Sequence, residues 1–348
     1  MAFELSDKTF IIAEIGANHN GDVNLARKMI DSAKACGADA VKFQSWDTTL
    51  FSEQVYQDNR FLDDDYADRN DYTLRQVMEA YMLAYDQLAE LKAYCDEQDI
   101  TFSSTPFSVR EVEDLVKLDV DYIKIASMDL VNPELLEAAA DTKLPIVLST
   151  GFGTLDEIEQ AVRILEDNGN QNIVMLHCVS LYPPQDDEVN LNNMDMLQTA
   201  FGYPVGFSDH TLGTEISIAA IAKGARVLEK HFTTDKTMEG WDHKISADPP
   251  ELKTICDAAA RISVALGSSR RRLCTREMER RDAYRRSIVA ARDIPRGEAI
   301  TRQDLTFRRP GTGMSPMDFN LVVGMIAARD IAYDMIITED DLAKPLPA

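Results

Sequence analysis

Basic residues are in short supply: 36 lysines and arginines face 59 aspartates and glutamates, for a formal net charge of -23. A surface of that sign repels phosphate backbones and anionic lipid. Neither nucleic acid nor a membrane is therefore expected as a partner, and an anionic substrate needs a local basic pocket. Long apolar runs are missing too. No stretch approaches the roughly 20 residues of a membrane span, and the opening MAFELSDKTF lacks the basic, apolar and small-residue order of a secretion signal. The five cysteines, Cys36, Cys95, Cys178, Cys256 and Cys274, are odd in number and form no CxxC, which argues against a disulfide framework. A reduced, cytoplasmic protein is expected. Such acidity also suits a salty habitat.

What is present is an ordinary globular composition, with 45% apolar and 27% charged residues over 348 positions. That length exceeds one small domain, while a barrel of about 250 residues with an appendage would use it up. From residue 10 onward, short β-branched runs alternate with longer helical patterns, the signature of parallel strands joined by crossover helices. Eight such runs follow one another: 10–16, 39–44, 100–105, 122–127, 145–150, 173–178, 204–209 and 226–231. Amphipathic segments such as 24–36, 84–98, 109–118, 133–140 and 155–168 lie between them. The expected fold is α/β: a (β/α)8 barrel over residues 1–267, with its active site at the strand C-termini. An arginine-rich linker, 268–286, then leads to a small β-rich module, 287–348, which at about 60 residues is marginal as an independent core.

The barrel rule predicts that the last residues of the strands carry the chemistry. They include Glu14, Lys42 with Gln44, Ser104 with Thr105, Lys124 with Ser127, and Ser149 with Thr150. Further on come His177, then Ser208, Asp209 and His210, then Glu229, Lys230 and His231. Four of the five histidines, His177, His210, His231 and His243, fall at or just after a strand end, and His19 follows strand one. Lys42 and Lys124 lie in otherwise apolar strands, where an unpaired ammonium is costly, so each needs an anion. Two readings stay open: a bound phosphate and carboxylate cradled with neighbouring hydroxyls, or pairing with a barrel carboxylate such as Glu14 or Glu229. His210 and His231, on adjacent strands at one level, suit a divalent metal with open positions, whether manganese, zinc, cobalt or magnesium. The long loop 45–82, with its acidic, aromatic FLDDDYADRNDY, is either a lid over the mouth or a solvated insertion.

Laid in order, the motifs AEIGANHNGD (13–22), VKFQ (41–44), SSTPFS (103–108), KIAS (124–127), LSTG (148–151), LHCVSLYP (176–183), SDHT (208–211), EKHFT (229–233), DHKIS (242–246) and RRPGTG (308–313) resemble the sialic acid synthase family across nearly the whole chain. The C-terminal module resembles that family's antifreeze-like, or SAF, domain. The resemblance implies condensation of phosphoenolpyruvate with an N-acyl hexosamine such as N-acetylmannosamine, giving a nonulosonic acid. It implies a divalent metal, manganese first and magnesium or cobalt as alternatives, on His210 and His231. It assigns Lys42, Thr105, Lys124, Ser127, Ser149 and Ser208 to phosphoenolpyruvate. Glu14, Gln44, Asp129, Tyr182 and Asp242 are assigned to the sugar or the reacting water, with Glu14 moving protons. It further implies a domain-exchanged homodimer in which Arg309 reaches a neighbouring barrel. Trp241, Ser180 and Asp129 depart from residues common in the family, and they leave the acceptor open among N-acetylmannosamine, its 6-phosphate and the diacetamido sugars that lead to legionaminic or pseudaminic acid. Two other classes remain: a retro-aldol lyase using Lys42 or Lys124 as a Schiff base, and a non-catalytic carbohydrate- or ice-binding protein relying on the C-terminal module.

Overall fold

The computed structural model describes residues 3, 5–6, 8–58 and 73–344. The chain divides into two compact units, Met1–Gly267 and Ser268–Ala348. In the first, eight parallel strands succeed one another: β1 Phe10–Gly16, β2 Ala40–Ser45, β3 Thr101–Pro106, β4 Ile123–Ile125, β5 Ile146–Ser149, β6 Ile173–Cys178, β7 Val205–Asp209 and β8 Val227–His231. Their order is β3-β2-β1-β8-β7-β6-β5-β4, so first and last strands pair, and β3 packs beside β4 to close the barrel. The FLDDDYADRNDY segment lies outside the described residues.

Strand parity decides which side chains meet. Alternate residues point inward, and the lower layers are apolar: Phe10, Ile12, Ala40, Tyr122, Val147, Val174, Leu176 and Val227 form one buried cluster inside the barrel. Continuing the same parity upward brings Glu14, Lys42, Lys124, Ser149, Cys178, Ser208 and Glu229 to the next level. The register agrees, with Glu14 opposite both Lys42 and His231, Cys178 opposite Ser208, and Ser208 opposite Glu229. Gly206 sits on an inward position with no room for a side chain, since a Cβ there would meet the Val227 carbonyl oxygen at 2.2 Å. The outward residues of the same strands join the helices in the main core, among them Ile11, Ala13, Val41, Phe43, Leu148, Met175, Phe207 and Leu228.

The helices start where side chains satisfy free N–H groups. Thr154 with Glu157, and Asp248 with Glu251, form reciprocal capping boxes that begin helices Leu155–Asp167 and Pro249–Leu266. Asp22 caps helix Val23–Cys36 by accepting from Asn24.

In the second unit, the arginine-rich connector is not extended throughout, because Thr275–Tyr284 is helical. Beyond it, two small antiparallel sheets enclose a core of Ile288, Ala290, Ile294, Ile300, Val322, Ile331 and Ile337. The unit repeats itself: AARDIPRGEAITRQDL (290–305) returns as AARDIAYDMIITEDDL (327–342). In each copy an arginine pairs with a buried aspartate that also closes a capping box, Arg292 with Asp304 and Arg329 with Asp341, both at 2.5 Å.

Candidate active site

A cavity of about 580 Å³ opens at the C-terminal ends of the barrel strands. Its floor is the layer of buried ions. Lys42 Nζ lies 2.6 Å from Glu14 Oε2 and 2.7 Å from Thr105 Oγ1. Lys124 Nζ donates to Ser149 Oγ at 2.7 Å and stands 3.7 Å from Glu229 Oε1, which also accepts from Ser208 at 3.1 Å. Gln44 donates to the other oxygen of Glu14 at 3.2 Å. The pairing of the lysines with Glu14 and Glu229 is therefore present, and both lysines still line the cavity.

These ions are not equally content. Burial raises the Glu14 carboxyl above the usual range, and the Glu229 charge adds to that against the opposing pull of Lys42. Burial also lowers the Lys124 ammonium, with Lys42 working the same way and Glu229 opposing. Lys42 is held above its ordinary value because Glu14 and Glu229 together outweigh the burial penalty. Glu229 sits below the carboxylate range, because the two lysines overcome the burial penalty. The floor holds two ammonium groups against one secure carboxylate and one reluctant one, which favours an arriving anion.

Above the floor stand two imidazoles. His210 and His231 have ring centroids 5.4 Å apart, and Tyr182 lies over His210 at 4.2 Å. His210 Nδ1 is 2.8 Å from the Val179 carbonyl, which makes it an N–H donor, and although burial penalises the charged ring, Cys178 and that carbonyl outweigh it and hold His210 above its ordinary value. Burial, reinforced by His210 and nearby lysines, holds His231 neutral, well below its ordinary value. Its Nδ1 is a buried atom without a hydrogen bond, 3.6 Å from Asp242 Oδ2. Two imidazoles facing one cavity fit a metal ion that takes its remaining ligands from substrate and water. No cluster of three or more histidine, cysteine, aspartate or glutamate side chains able to hold a metal exists among the described residues.

Several residues at strand ends face the other way. Lys230 points outward into a closed network with Asp209 at 2.9 Å and the Thr211 carbonyl at 2.5 Å, and Ser217 completes it on Asp209. His177 also points outward, stacked on Phe207 and 2.6 Å from the Val189 carbonyl. Ser104 bonds Ser45 at 2.6 Å, and Thr150 bonds the Leu176 carbonyl. Asp129, which the resemblance assigns to the sugar or the reacting water, lies just beyond β4. It closes a 3-10 turn after β4, accepts from Asn132 at 3.1 Å and does not line the cavity. Ser127, Ser180 and Tyr182 do line it. Gly151 lets the chain pass, since a Cβ there would meet Ser180 Oγ at 2.2 Å and Ser127 Oγ at 2.6 Å. Arg309 belongs to the second unit, where its guanidinium lies 5.7 Å from the Tyr284 ring centroid.

Sequence reasoning overlooked three groups of residues here. Cys178 lies inward between Ser127 Oγ at 3.4 Å and Ser180 Oγ at 3.7 Å. Burial pushes its thiol up, but His210 and the neighbouring hydroxyls outweigh that and bring it to about 7. Parity along IVMLHC would have identified it. Asn18 donates to the Phe232 carbonyl at 2.9 Å and to Ser246 at 2.8 Å, and Asn20 meets His243, which bonds Thr233. This second group pins the loop that carries Trp241 and Asp242. The third is an apolar wall of Trp46, Leu74, Met78 and Phe107, contributed by segments too far apart in sequence for any local pattern to join.

Comparison with known proteins decides the family. The NeuB family model matches residues 29–271, and a SAF domain matches 285–343. The chain belongs to the NeuB family. It is 41% identical to the N,N'-diacetyllegionaminic acid synthase of Campylobacter jejuni over 339 residues, covering 95% of this chain and 99% of that one. It is 38% identical to the human N-acetylneuraminate-9-phosphate synthase, with 95% and 92% covered. The crystal structure of the N-acetylneuraminic acid synthetase of Leptospira borgpetersenii superposes with a TM-score of 0.68 at 37% identity, over 78% of this chain and 90% of that one. In this NeuB protein the family motifs 124–127, 148–151 and 208–211 are the segments that supply Lys124, Ser149 and Ser208 to the floor.

Proposed function

We propose that this NeuB protein condenses phosphoenolpyruvate with an N-acyl hexosamine and water, giving a nonulosonic acid and phosphate. The observation that carries the reading is the stacking of two levels in one cavity: lysines and hydroxyls on the floor, and two imidazoles immediately above. Lys42 and Lys124, with Thr105, Ser127, Ser149 and Ser208, bind the phosphate and carboxylate of phosphoenolpyruvate, fixing the enol carbon beneath the aldehyde. The methylene carbon forms the new C–C bond with the aldehyde carbon, whose oxygen takes up a proton to become a hydroxyl, and the neighbouring phosphate-bearing carbon becomes cationic. Water adds there and gives a proton to Glu14, whose carboxyl is raised by burial and so is matched to proton exchange near neutrality. The C–O bond then breaks, and phosphate leaves with the bridging oxygen. Gln44, Ser180, Tyr182 and Asp242 orient the sugar chain.

His210 through Nε2, together with His231, would hold a divalent ion, manganese first and magnesium or cobalt as alternatives. When bound, it supplies Lewis-acid polarisation of the aldehyde oxygen. No helix among the described residues is long and apolar enough to cross a membrane. The free cysteines, four of them buried, support a reducing, cytoplasmic setting. We assign Arg309 to a neighbouring barrel in a domain-exchanged homodimer, because a module this small gains from docking and presents paired cations, Arg308 and Arg309, in an acidic chain.

The test places an oxygen label at the bridging position of phosphoenolpyruvate. Label recovered in inorganic phosphate supports the scheme, while label kept in the sugar product overturns it. Mixing Arg309→Ala with His231→Ala protein under subunit exchange tests the shared site, since recovery of activity requires one barrel with both residues intact. One observation favours a second reading: the lowered ammonium of Lys124 is a better amine nucleophile. Borohydride with a keto acid decides it, and a covalent adduct on Lys124 would replace condensation with a Schiff-base lyase.

A further inference from the structure

Of the residues in the motifs AEIGANHNGD (13–22) and DHKIS (242–246), only Glu14 lines the cavity. The others join two loops, the one that follows β1 and the one that follows β8. The second loop leaves the barrel at Phe232 and returns at Ala247, where those two residues form a parallel bridge. Asn18, fully buried, closes that neck by donating to the Phe232 carbonyl at 2.9 Å and to Ser246 Oγ at 2.8 Å. Ser246 in turn donates to the Asp242 carbonyl at 2.6 Å.

Asn20 and His243 hold the tip of the loop. The Asn20 amide donates to the Glu239 carbonyl at 2.8 Å, which turns its Oδ1 toward His243 Nε2, 3.3 Å away. Nε2 therefore carries the proton, and Nδ1, 2.7 Å from Thr233 Oγ1, is the acceptor. Burial lowers this imidazole to about 4 against the pull of Asp235, in keeping with a neutral ring. With both nitrogens engaged and the side chain buried, His243 has no atom to offer a substrate. Gly240 packs against the same pair, since a Cβ there would meet His243 Cδ2 at 2.5 Å and Asn20 Oδ1 at 2.7 Å. Between the two clamped residues, Glu239 and His243, lie Trp241, which lines the cavity, and Asp242, whose Oδ2 is 3.6 Å from His231 Nδ1.

We infer that Asn18, Asn20 and His243 are positioning residues that act through Asp242, holding its carboxylate beside His231 where the acceptor binds. This rests on the reading that an N-acyl hexosamine is condensed above the lysine floor. A carboxylate on a loop is placed only as well as the loop is held, and a misplacement of about 1 Å costs on the order of a hundredfold. None of these bonds involves Lys42, Lys124, Ser149 or Ser208, so phosphoenolpyruvate should not register their loss.

The test uses full-length protein with divalent ion and whichever of N-acetylmannosamine, its 6-phosphate and a diacetamido sugar the parent turns over best. His243→Ala and Asn20→Ala should each raise the KM for that acceptor about tenfold to a hundredfold and leave the KM for phosphoenolpyruvate within about twofold. His243→Gln, whose amide reproduces the Nε2 donor, should recover most of the loss. With Asp242→Ala already present, His243→Ala should add no more than about threefold. Deuterium uptake over residues 240–247, where the Ser246 and Ala247 amides bond the Asp242 and His231 carbonyls, should rise in both alanine variants while β1 and β8 stay protected. An unchanged acceptor KM with uptake raised across the barrel would make the network merely structural, and losses that add to that of Asp242→Ala would show that it does not act through that carboxylate. Either result overturns the inference. If the parent releases no phosphate with any acceptor, the proposed reaction fails, and sugar binding read from the emission of Trp46 and Trp241 decides the positioning by itself: weaker in the alanine variants if it stands, equal if it does not.

Discussion

Two buried lysine sites in one barrel invite comparison. Lys230, on the outer side of β8, is 1% exposed and sits in a network where each polar group has its partner: Asp209, the Thr211 carbonyl, and Ser217 behind them. Lys42 and Lys124, on the inner side, are equally buried, yet they share carboxylates whose preferences are pulled apart, Glu14 upward and Glu229 downward. Burial alone therefore does not separate structure from function. Completion does. A closed ion network stabilises one arrangement, whereas an unbalanced one lining a cavity holds binding energy in reserve for a ligand.

The largest expected effect sharpens this contrast. Lys124→Met should lower phosphate release by about a hundredfold to a thousandfold, as loss of a preorganised charge does, while the melting temperature holds steady or rises. A large drop in melting temperature would make Lys124 structural after all. Lys230→Met should do the reverse, costing about 3–5 kcal/mol in denaturant unfolding because Asp209 is left buried and unpaired. The folded fraction should turn over near the parent rate, and a folded but inactive protein would break the comparison.

A third buried group tests the same idea through pH. His19 is buried, and desolvation lowers it from 6.5 to about 4. The fold thus keeps the neutral ring, so its contribution to stability is intact above pH 6.5. As pH falls from 6.5 to about 4, the unfolded chain takes up a proton that the folded one refuses, which costs about 3 kcal/mol. His19→Asn should flatten that part of the unfolding free-energy profile, and an unchanged profile would place the acid sensitivity elsewhere. The smallest effect belongs to the second unit. Asp304→Ala and Asp341→Ala should each cost about 1–2 kcal/mol through the lost cap, with similar values because the two repeats use the aspartate alike. Unequal losses would show that the repeat symmetry is not energetic.

All eight strands could be read from the sequence, with Phe10–Gly16 and Ile173–Cys178 found to the residue. β-Branched runs bounded by turns are local signals, and a buried parallel strand makes them strong. Helix Thr275–Tyr284 was harder to find. Its face has no buried residue, so it carries no apolar stripe to announce it. The floor of the site was legible for a different reason: a lysine in an apolar strand is costly anywhere, and such a cost is visible in one dimension.

What the sequence determined by itself was the set of elements and the inward parity of each strand, because both depend on neighbours one to four residues apart. It also determined that Lys42, Lys124, His210 and His231 would lie near the barrel mouth, once eight strands were counted. That parity selects Cys178 over His177 and Glu229 over Lys230 for the cavity, whereas only the tertiary structure decided which inward groups pair, Lys42 with Glu14 and Lys124 with Ser149. Only it assembled the wall, since Trp46, Leu74, Phe107 and Trp241 come from separate segments. Side chains so distant along the chain become neighbours through strand closure and loop packing, and those interactions leave no trace in any local pattern.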